Sequence, residues 1–219
     1  MIMETPELTD AVRKRARGTL LASAVGDVLG VPYELDTIAL EGDPQPIGGG
    51  LGDYAPGEWS DDTQMSICIA QVAATGVRLT SQAAQDDIAT KFLAWSKDGA
   101  TDIGIQTSRV LSDAHRREGT ASQCLRAAAA YFSATSDRAA GNGALMRTAP
   151  IGLAFLYDRD LTAQAAREIA ALTHTDPMVG DTCVLWSEAI RHAVTTGRID
   201  IYAGLGLLQA IEGHRGRVG

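Results

Sequence analysis

At 219 residues the chain is long enough to bury a sizeable core and short enough to form one domain. Hydrophobic residues make up 45% but aromatics only 5%, which favours close-packed helices over a strand sandwich, so the expected class is all-α: a compact single-domain helical bundle over residues 1–219. The formal net charge of −8 repels nucleic acid and anionic membrane surfaces, and neither is expected as a partner.

The N-terminus has no basic segment followed by an apolar run, and no stretch of 18 apolar residues occurs, so a cytoplasmic protein is expected. Asp10 can cap a first helix that runs to about Gly30, with Leu20, Leu21, Ala24, Val25, Val28 and Leu29 as its apolar face; this reads as the central helix. Gly18, Ala22, Gly26 and Gly30 form a smooth ridge on which another helix could lie closely. Pro32 stops the helix and leaves Glu34 just past its C-terminus, where the negative dipole end disfavours a carboxylate. A bound cation would relieve that conflict; a solvated loop glutamate is the plainer alternative.

Residues 41–57 contain Pro44, Pro46, Gly48, Gly49, Gly50, Gly52, Pro56 and Gly57, an irregular loop that could cover a site. It delivers the chain to Trp59-Ser60-Asp61-Asp62-Thr63. Ser60 is a good N-cap, and Met65, Cys68, Ile69, Val72 and Ala73 repeat with helical spacing behind it. Asp61 and Asp62 fall in the first turn, where acids complement the positive helix end. Adjacent carboxylates beside a hydroxyl are also hard oxygen ligands; since successive helical residues point about 100° apart, one could bind a cation and the other bridge to a second ion or a water.

Further helices are expected from a Thr80 cap (Ala84, Ile88, Phe92), from Asp102-Ile103-Gly104 (Thr107, Val110, Leu111, Ala114) and from the T-x-x-Q capping box at Thr120 (Leu125, Ala128, Ala129, Phe132). Gly141-Asn142-Gly143-Ala144-Leu145-Met146-Arg147 precedes an apolar helical stretch containing Pro150. Its glycines permit close approach, and N–H groups at the next helix start can meet a phosphate, although a plain turn has the same form. Thr162 is expected to cap the next helix, with His174 at its C-terminal end as a comfortable cation. Asp176-Pro177 restarts a helix with Val179, Cys183, Trp186, Ile190 and Ala193 in register and Gly197 at its close. Leu205, Leu207, Leu208 and Ile211 suggest a short last helix. Cys68, Cys124 and Cys183 lie in helical patterns without metal spacing and read as reduced packing residues.

Taken in order, Gly26-Asp27 with Pro32 and Glu34, Trp59-Ser60-Asp61-Asp62-Thr63, Asp102-Ile103-Gly104, Gly141-Asn142-Gly143-Ala144-Leu145-Met146-Arg147 and Thr173-His174 resemble the ADP-ribosylglycohydrolase family, most strongly over residues 14–195. The resemblance implies an all-α bundle with a two-metal site, Mg2+ or Mn2+, in a central cleft, and a hydrolase that removes ADP-ribose from a modified side chain or related compound. It implies that Ser60, Asp61 and Asp62 are metal ligands and that Glu34 and Asp62 are catalytic. Asp102, Gly141, Asn142, Gly143, Ala144 and His174 would contact the ADP-ribose moiety or the ADP-ribosylated protein.

The family also carries an Asp-x-Asp-Thr/Ser motif near its C-terminus, and this chain ends before it; Asp158-Arg159-Asp160 lacks the hydroxyl residue and is expected to be a loop. The chain is therefore expected to be a C-terminally truncated member holding one ion, with an open groove beside the glycine ridge and a monomer or weak homodimer in solution. The alternative function is a catalytically impaired ADP-ribose-binding or structural protein of the same fold.

Overall fold

The computed structural model of the protein describes residues 7–36, 38–98 and 100–208. Eight α-helices follow one another among them: α1 (Asp10–Gly30), α2 (Asp61–Ala73), α3 (Gln82–Lys97), α4 (Ile105–Ala114), α5 (Ala121–Thr135), α6 (Ala149–Ala154), α7 (Arg159–Ala170) and α8 (Pro177–Thr196). Short 3-10 segments occur at Val31–Asp36, Asn142–Ala144 and Leu205–Leu207. Among the described residues there is no strand, only an isolated antiparallel bridge between Gly49 and Tyr54. The all-α expectation holds, and no described helix is long and apolar enough to cross a membrane.

The apolar stripes pack as their spacing requires. Met65, Ile69 and Val72 of α2 meet Ile88 and Phe92 of α3, and Leu111, Leu125, Ile151, Ile169 and Val184 extend the same cluster through α4 to α8. Each of these side chains is almost fully withdrawn from water, worth about 1.5–3 kcal/mol apiece in transfer free energy. The successive pairs α4–α5 and α7–α8 pack most extensively against each other, and α8 also packs against α6. The three cysteines are free and buried, as expected of packing residues.

The position of α1 corrects the sequence reading. Only Val12 of this helix is buried, while Leu21 and Val25 are 68% and 57% exposed, and a Cβ at Gly18, Gly26 or Gly30 would meet no described atom within 4 Å. The helix leans on α2, α6 and α8 at the edge of the bundle, held by Arg15, whose Nε donates to the Val194 carbonyl at 2.7 Å and whose Nη2 donates to Thr195 at 3.2 Å. Those carbonyls close α8, so the cation also meets the negative end of that helix. Exposure of Trp186, 49%, likewise breaks the stripe expected of α8.

Three helix starts differ from expectation for one reason: the cap is the extended residue whose oxygen reaches the N2 or N3 amide. Thr9, not Asp10, accepts from Val12 N; Ser81, not Thr80, accepts from Ala84 N; Asp158, not Thr162, accepts from Leu161 N. Thr162 is instead buried, its hydroxyl shared between the Phe155 and Asp158 carbonyls. Asp158-Arg159-Asp160 is thus a helix start, not a loop. Of the suggested last helix, the described residues reach only to Leu208, and they form a 3-10 turn at Leu205–Leu207 that Leu208 leaves in extended conformation.

Candidate active site

Three chain segments are brought to the N-terminus of α2. Asp27 of α1 is the anchor: its carboxylate accepts from Ser60 N at 3.1 Å, from the Ser60 hydroxyl at 2.7 Å, from Thr63 N at 3.1 Å and from the Thr63 hydroxyl at 2.5 Å. The Ser60 oxygen in turn caps α2 by accepting from Asp62 N at 3.3 Å. This grip fixes the direction in which Asp61 and Asp62 leave the first turn. Glu34 arrives on the 3-10 turn after α1, which is broken at Glu34 (φ −59°, ψ 136°) and Leu35 (φ 49°, ψ 35°). A branched residue in the left-handed region is uncommon and marks local strain, here in the turn that presents Glu34.

The glycine-rich loop is tied to that turn. Gly49 and Tyr54 exchange backbone hydrogen bonds at 2.7 and 2.8 Å, and Gly50 (φ 65°) lies so close to the Val31 carbonyl that a Cβ would collide with it. From the other side, Gln106 at the start of α4 bridges two segments, accepting from Gly141 N at 3.4 Å and donating to the Thr173 carbonyl at 3.3 Å.

The result is a cleft of about 350 Å³ whose walls include Glu34, Asp61, Asp62 and Asp102 on one side and Gly141, Asn142, Gly143 and His174 on the other. Eight of the ten residues singled out in the sequence therefore share one cavity. Ser60 and Ala144 are not on its wall: Ser60 is 1% exposed and committed to Asp27, and Ala144 is 1% exposed in the core.

The acidic side is electrostatically frustrated. Burial, then the charges of Asp62, Asp102 and Glu34, push the Asp61 carboxyl up to about 7, although a Gly104 N–H bond pulls the other way. Burial and then the Asp27 charge push Asp62 up to about 6, and burial with Asp102, Asp62 and Asp27 raises Glu34. Carboxylates gathered in a shared cleft, three of them with ionisation disfavoured by burial and neighbouring charge, are a hard-oxygen donor set of the kind that suits a divalent cation. Among the described residues, no three His, Cys, Asp or Glu side chains already form a metal-holding group.

The opposite wall corrects the expectation of a cationic histidine. His174 is 2% exposed, and burial together with the Arg147 charge pushes its imidazole down to about 3, so it is neutral at physiological pH. Its Nδ1 lies 2.8 Å from the Thr173 hydroxyl. A Cβ on Gly141 or Gly143 would stand 3.5 Å from its Nε2, so these glycines keep that nitrogen's approach clear.

Three residues carry this arrangement without having been assigned a role from sequence. Asp27 is an acid inside the apolar stripe of α1, Gln106 stands one helical turn before Val110 on the buried face of α4, and Arg147 is a lone charge in the run from Ala144 to Ile151. Gln106 and Arg147 are polar residues in register with buried ones, whereas Asp27 interrupts an apolar stripe that the fold leaves largely exposed.

The cleft thus joins an acidic helix start to a Gly-Asn-Gly turn within an all-helical bundle. The chain belongs to the ADP-ribosylglycohydrolase family, whose pattern it matches over residues 8–216. It is 33% identical over 191 residues to the ADP-ribosyl-[dinitrogen reductase] glycohydrolase of Rhodospirillum rubrum, covering 84% of this chain and 59% of that protein. It is 30% identical over 149 residues to the ADP-ribosylarginine hydrolase Tri1 of Serratia proteamaculans, covering 64% and 36%. A solved chain described as an ADP-ribosylglycohydrolase-related protein complex superposes with a TM-score of 0.62 at 26% identity, over 87% of this chain and 59% of that one. The chain thus spans between about a third and three-fifths of the length of these relatives.

Proposed function

We propose that this chain carries the substrate cleft of a metal-dependent hydrolase that releases ADP-ribose from a modified protein side chain. The observation that supports this most directly is the facing of Glu34, Asp61, Asp62 and Asp102 by Gly141, Asn142, Gly143 and His174 across one cavity, in a member of this family. The names of two relatives, which act on ADP-ribosyl-dinitrogen reductase and ADP-ribosylarginine, make an arginine-linked ADP-ribose the first substrate to test.

Asp61 and Asp62 would hold a divalent cation, Mg2+ or Mn2+, with Glu34 beside it and Ser60 as the residue that orients the helix start. When bound, the ion would polarise the ribose hydroxyls and favour ionisation of an attacking water. The remaining roles belong to the chain. The Gly141-Asn142-Gly143 turn lets a diphosphate approach the backbone N–H groups closely. His174 offers a neutral ring nitrogen rather than a charge. Glu34, whose carboxyl burial and neighbouring acids raise above its ordinary value, can give and take the proton as the bond from the anomeric carbon to the side-chain atom breaks through an oxocarbenium-like state.

The test is release of free ADP-ribose from ADP-ribosyl-arginine with Mn2+ or Mg2+ present, against the same protein in chelator and against Asp62→Ala. Metal-dependent release lost in Asp62→Ala is expected. Release unchanged by both treatments would overturn the metal assignment, and ADP-ribose binding without any release would favour a binding protein of the same fold.

A further inference from the structure

Arg147 is 0% exposed, yet none of the ion pairs among the described residues includes it. Its Nη2 donates to the Thr173 hydroxyl at 2.7 Å and to the Ile169 carbonyl at 3.3 Å. Nη1 lies 3.6 Å from the Met65 sulfur, the guanidinium sits 4.6 Å over the Phe92 ring, and Nε has no hydrogen-bond partner among the described residues. Burying a guanidinium without a carboxylate is expensive, and burial pushes it down to about 10, still a cation at neutral pH. Support of the α7 C-terminus through Ile169 explains one of its bonds; the shorter one leads elsewhere.

Arginine can only donate, so the bond from Nη2 occupies a lone pair of the Thr173 oxygen. That hydroxyl has one proton, and its other polar neighbour is His174 Nδ1 at 2.8 Å. With no other acceptor for that proton among the described residues, satisfying the hydroxyl sends it to Nδ1, which leaves Nδ1 unprotonated and the imidazole hydrogen on Nε2. The assignment follows from satisfying the network, since hydrogen positions are inferred from their partners. Nε2 makes no protein hydrogen bond among the described residues and faces the gap that Gly141 and Gly143 keep open, on the cleft wall.

We infer that Arg147 is a positioning residue: through the Thr173 hydroxyl it holds His174 in its Nε2–H tautomer, giving the cleft a fixed, neutral hydrogen-bond donor for an oxygen of the ligand at the Gly141–Gly143 turn. The Arg147 charge reinforces this by opposing a second proton on the ring. Only the identity of the acceptor, an ADP-ribose oxygen, rests on the proposed function. The tautomer does not.

The test reads the ring directly. In 15N-labelled protein at neutral pH, without nucleotide or metal, two-bond 1H–15N correlations distinguish the tautomers, and His174→Gln identifies the signals among the four histidines. A single Nε2–H species is expected in the native chain, conversion to a mixture or to Nδ1–H in Thr173→Val and Arg147→Met, and restoration in Thr173→Ser. Calorimetric titration with ADP-ribose should show Thr173→Val binding about tenfold more weakly and Thr173→Ser close to native. An Nδ1–H ring in the native protein, or an unchanged Nε2–H ring in Thr173→Val, overturns the inference; the Thr173 pair decides it even if Arg147→Met does not fold. A native Nε2–H ring with no affinity for ADP-ribose would sink the proposed ligand and leave the relay standing.

Discussion

The Ser60 hydroxyl donates to Oδ1 of Asp27 at 2.7 Å, joining residues 33 positions apart. Asp27 gathers two backbone amides and two hydroxyls from the first turn of α2, so one carboxylate supplies most of what that helix start needs from outside itself. Asp27→Ala should lower the stability to urea by about 3 kcal/mol, because donors near a helix start lose a charged acceptor. Asp27→Asn should fall between, since one amide oxygen can replace only part of the set. A loss below about 1 kcal/mol for the alanine variant would show that water serves α2 as well as Asp27 does.

The cleft's glycine side predicts a contrast between two glycines. A Cβ at Gly143 would meet Thr107 Oγ1 at 2.9 Å and His174 Cε1 at 3.2 Å, whereas one at Gly18 would meet nothing described within 4 Å. Gly143→Ala should weaken ADP-ribose binding at least tenfold, or about 1.4 kcal/mol. Gly18→Ala should leave binding alone and stabilise α1 by about 0.5–1 kcal/mol through helix propensity. Calorimetry and thermal melting read the two effects separately. A destabilised Gly18→Ala would mean that the α1 ridge is in contact with something in solution.

These two sites also mark what the sequence could and could not disclose. The α2 stripe from Met65 to Val72 and its Ser60 cap were legible because both depend on residues close in sequence. The shared cleft was legible only through the family resemblance, since nothing local links Glu34 to His174. Asp27, Gln106 and Arg147 stayed hidden because each acts on a partner that folding alone brings near, at separations of 33, 35 and 26 residues. The burial of α1 was overread for the complementary reason: an apolar stripe states a preference for contact without naming the surface that satisfies it.

Gln106 offers a test of the bridge between the two halves of the glycine wall. It holds Gly141 N and the Thr173 carbonyl through one buried amide. Gln106→Ala removes both bonds and leaves those backbone groups seeking water. The expected result is an increase in KM for ADP-ribosyl-arginine of about tenfold with a smaller change in kcat, as for a residue that shapes binding more than the reacting centre. An equal fall in kcat would place Gln106 closer to the chemistry than its contacts imply.

The acidic wall makes a prediction whose sign changes with pH and metal. In the folded protein Asp61 titrates at about 7 and Asp62 at about 6, both above the ordinary value of 3.8. Between about pH 4 and 7 the native state therefore binds more protons at these groups than the unfolded chain, so their contribution to stability falls as pH rises through that window. His174, depressed to about 3, has the opposite slope below pH 6.5, but it is common to both proteins and cancels when a variant is compared with the native chain. Asp61→Asn in chelator at pH 8 should thus be more stable than native by about 2 kcal/mol, or roughly 4–8 °C in Tm, because a repelled, half-buried charge is gone. The difference should shrink as pH falls through that window and vanish only at about pH 4 and below, where Asp61 is protonated in the unfolded chain as well. With Mn2+ at pH 8 the order should reverse, since the native site alone gains about 2.7 kcal/mol at a hundredfold excess of ion over Kd. Melting curves under the three conditions decide the matter: an Asp61→Asn protein no more stable than native in chelator at pH 8 would mean that neither burial nor the neighbouring acids penalise the Asp61 charge.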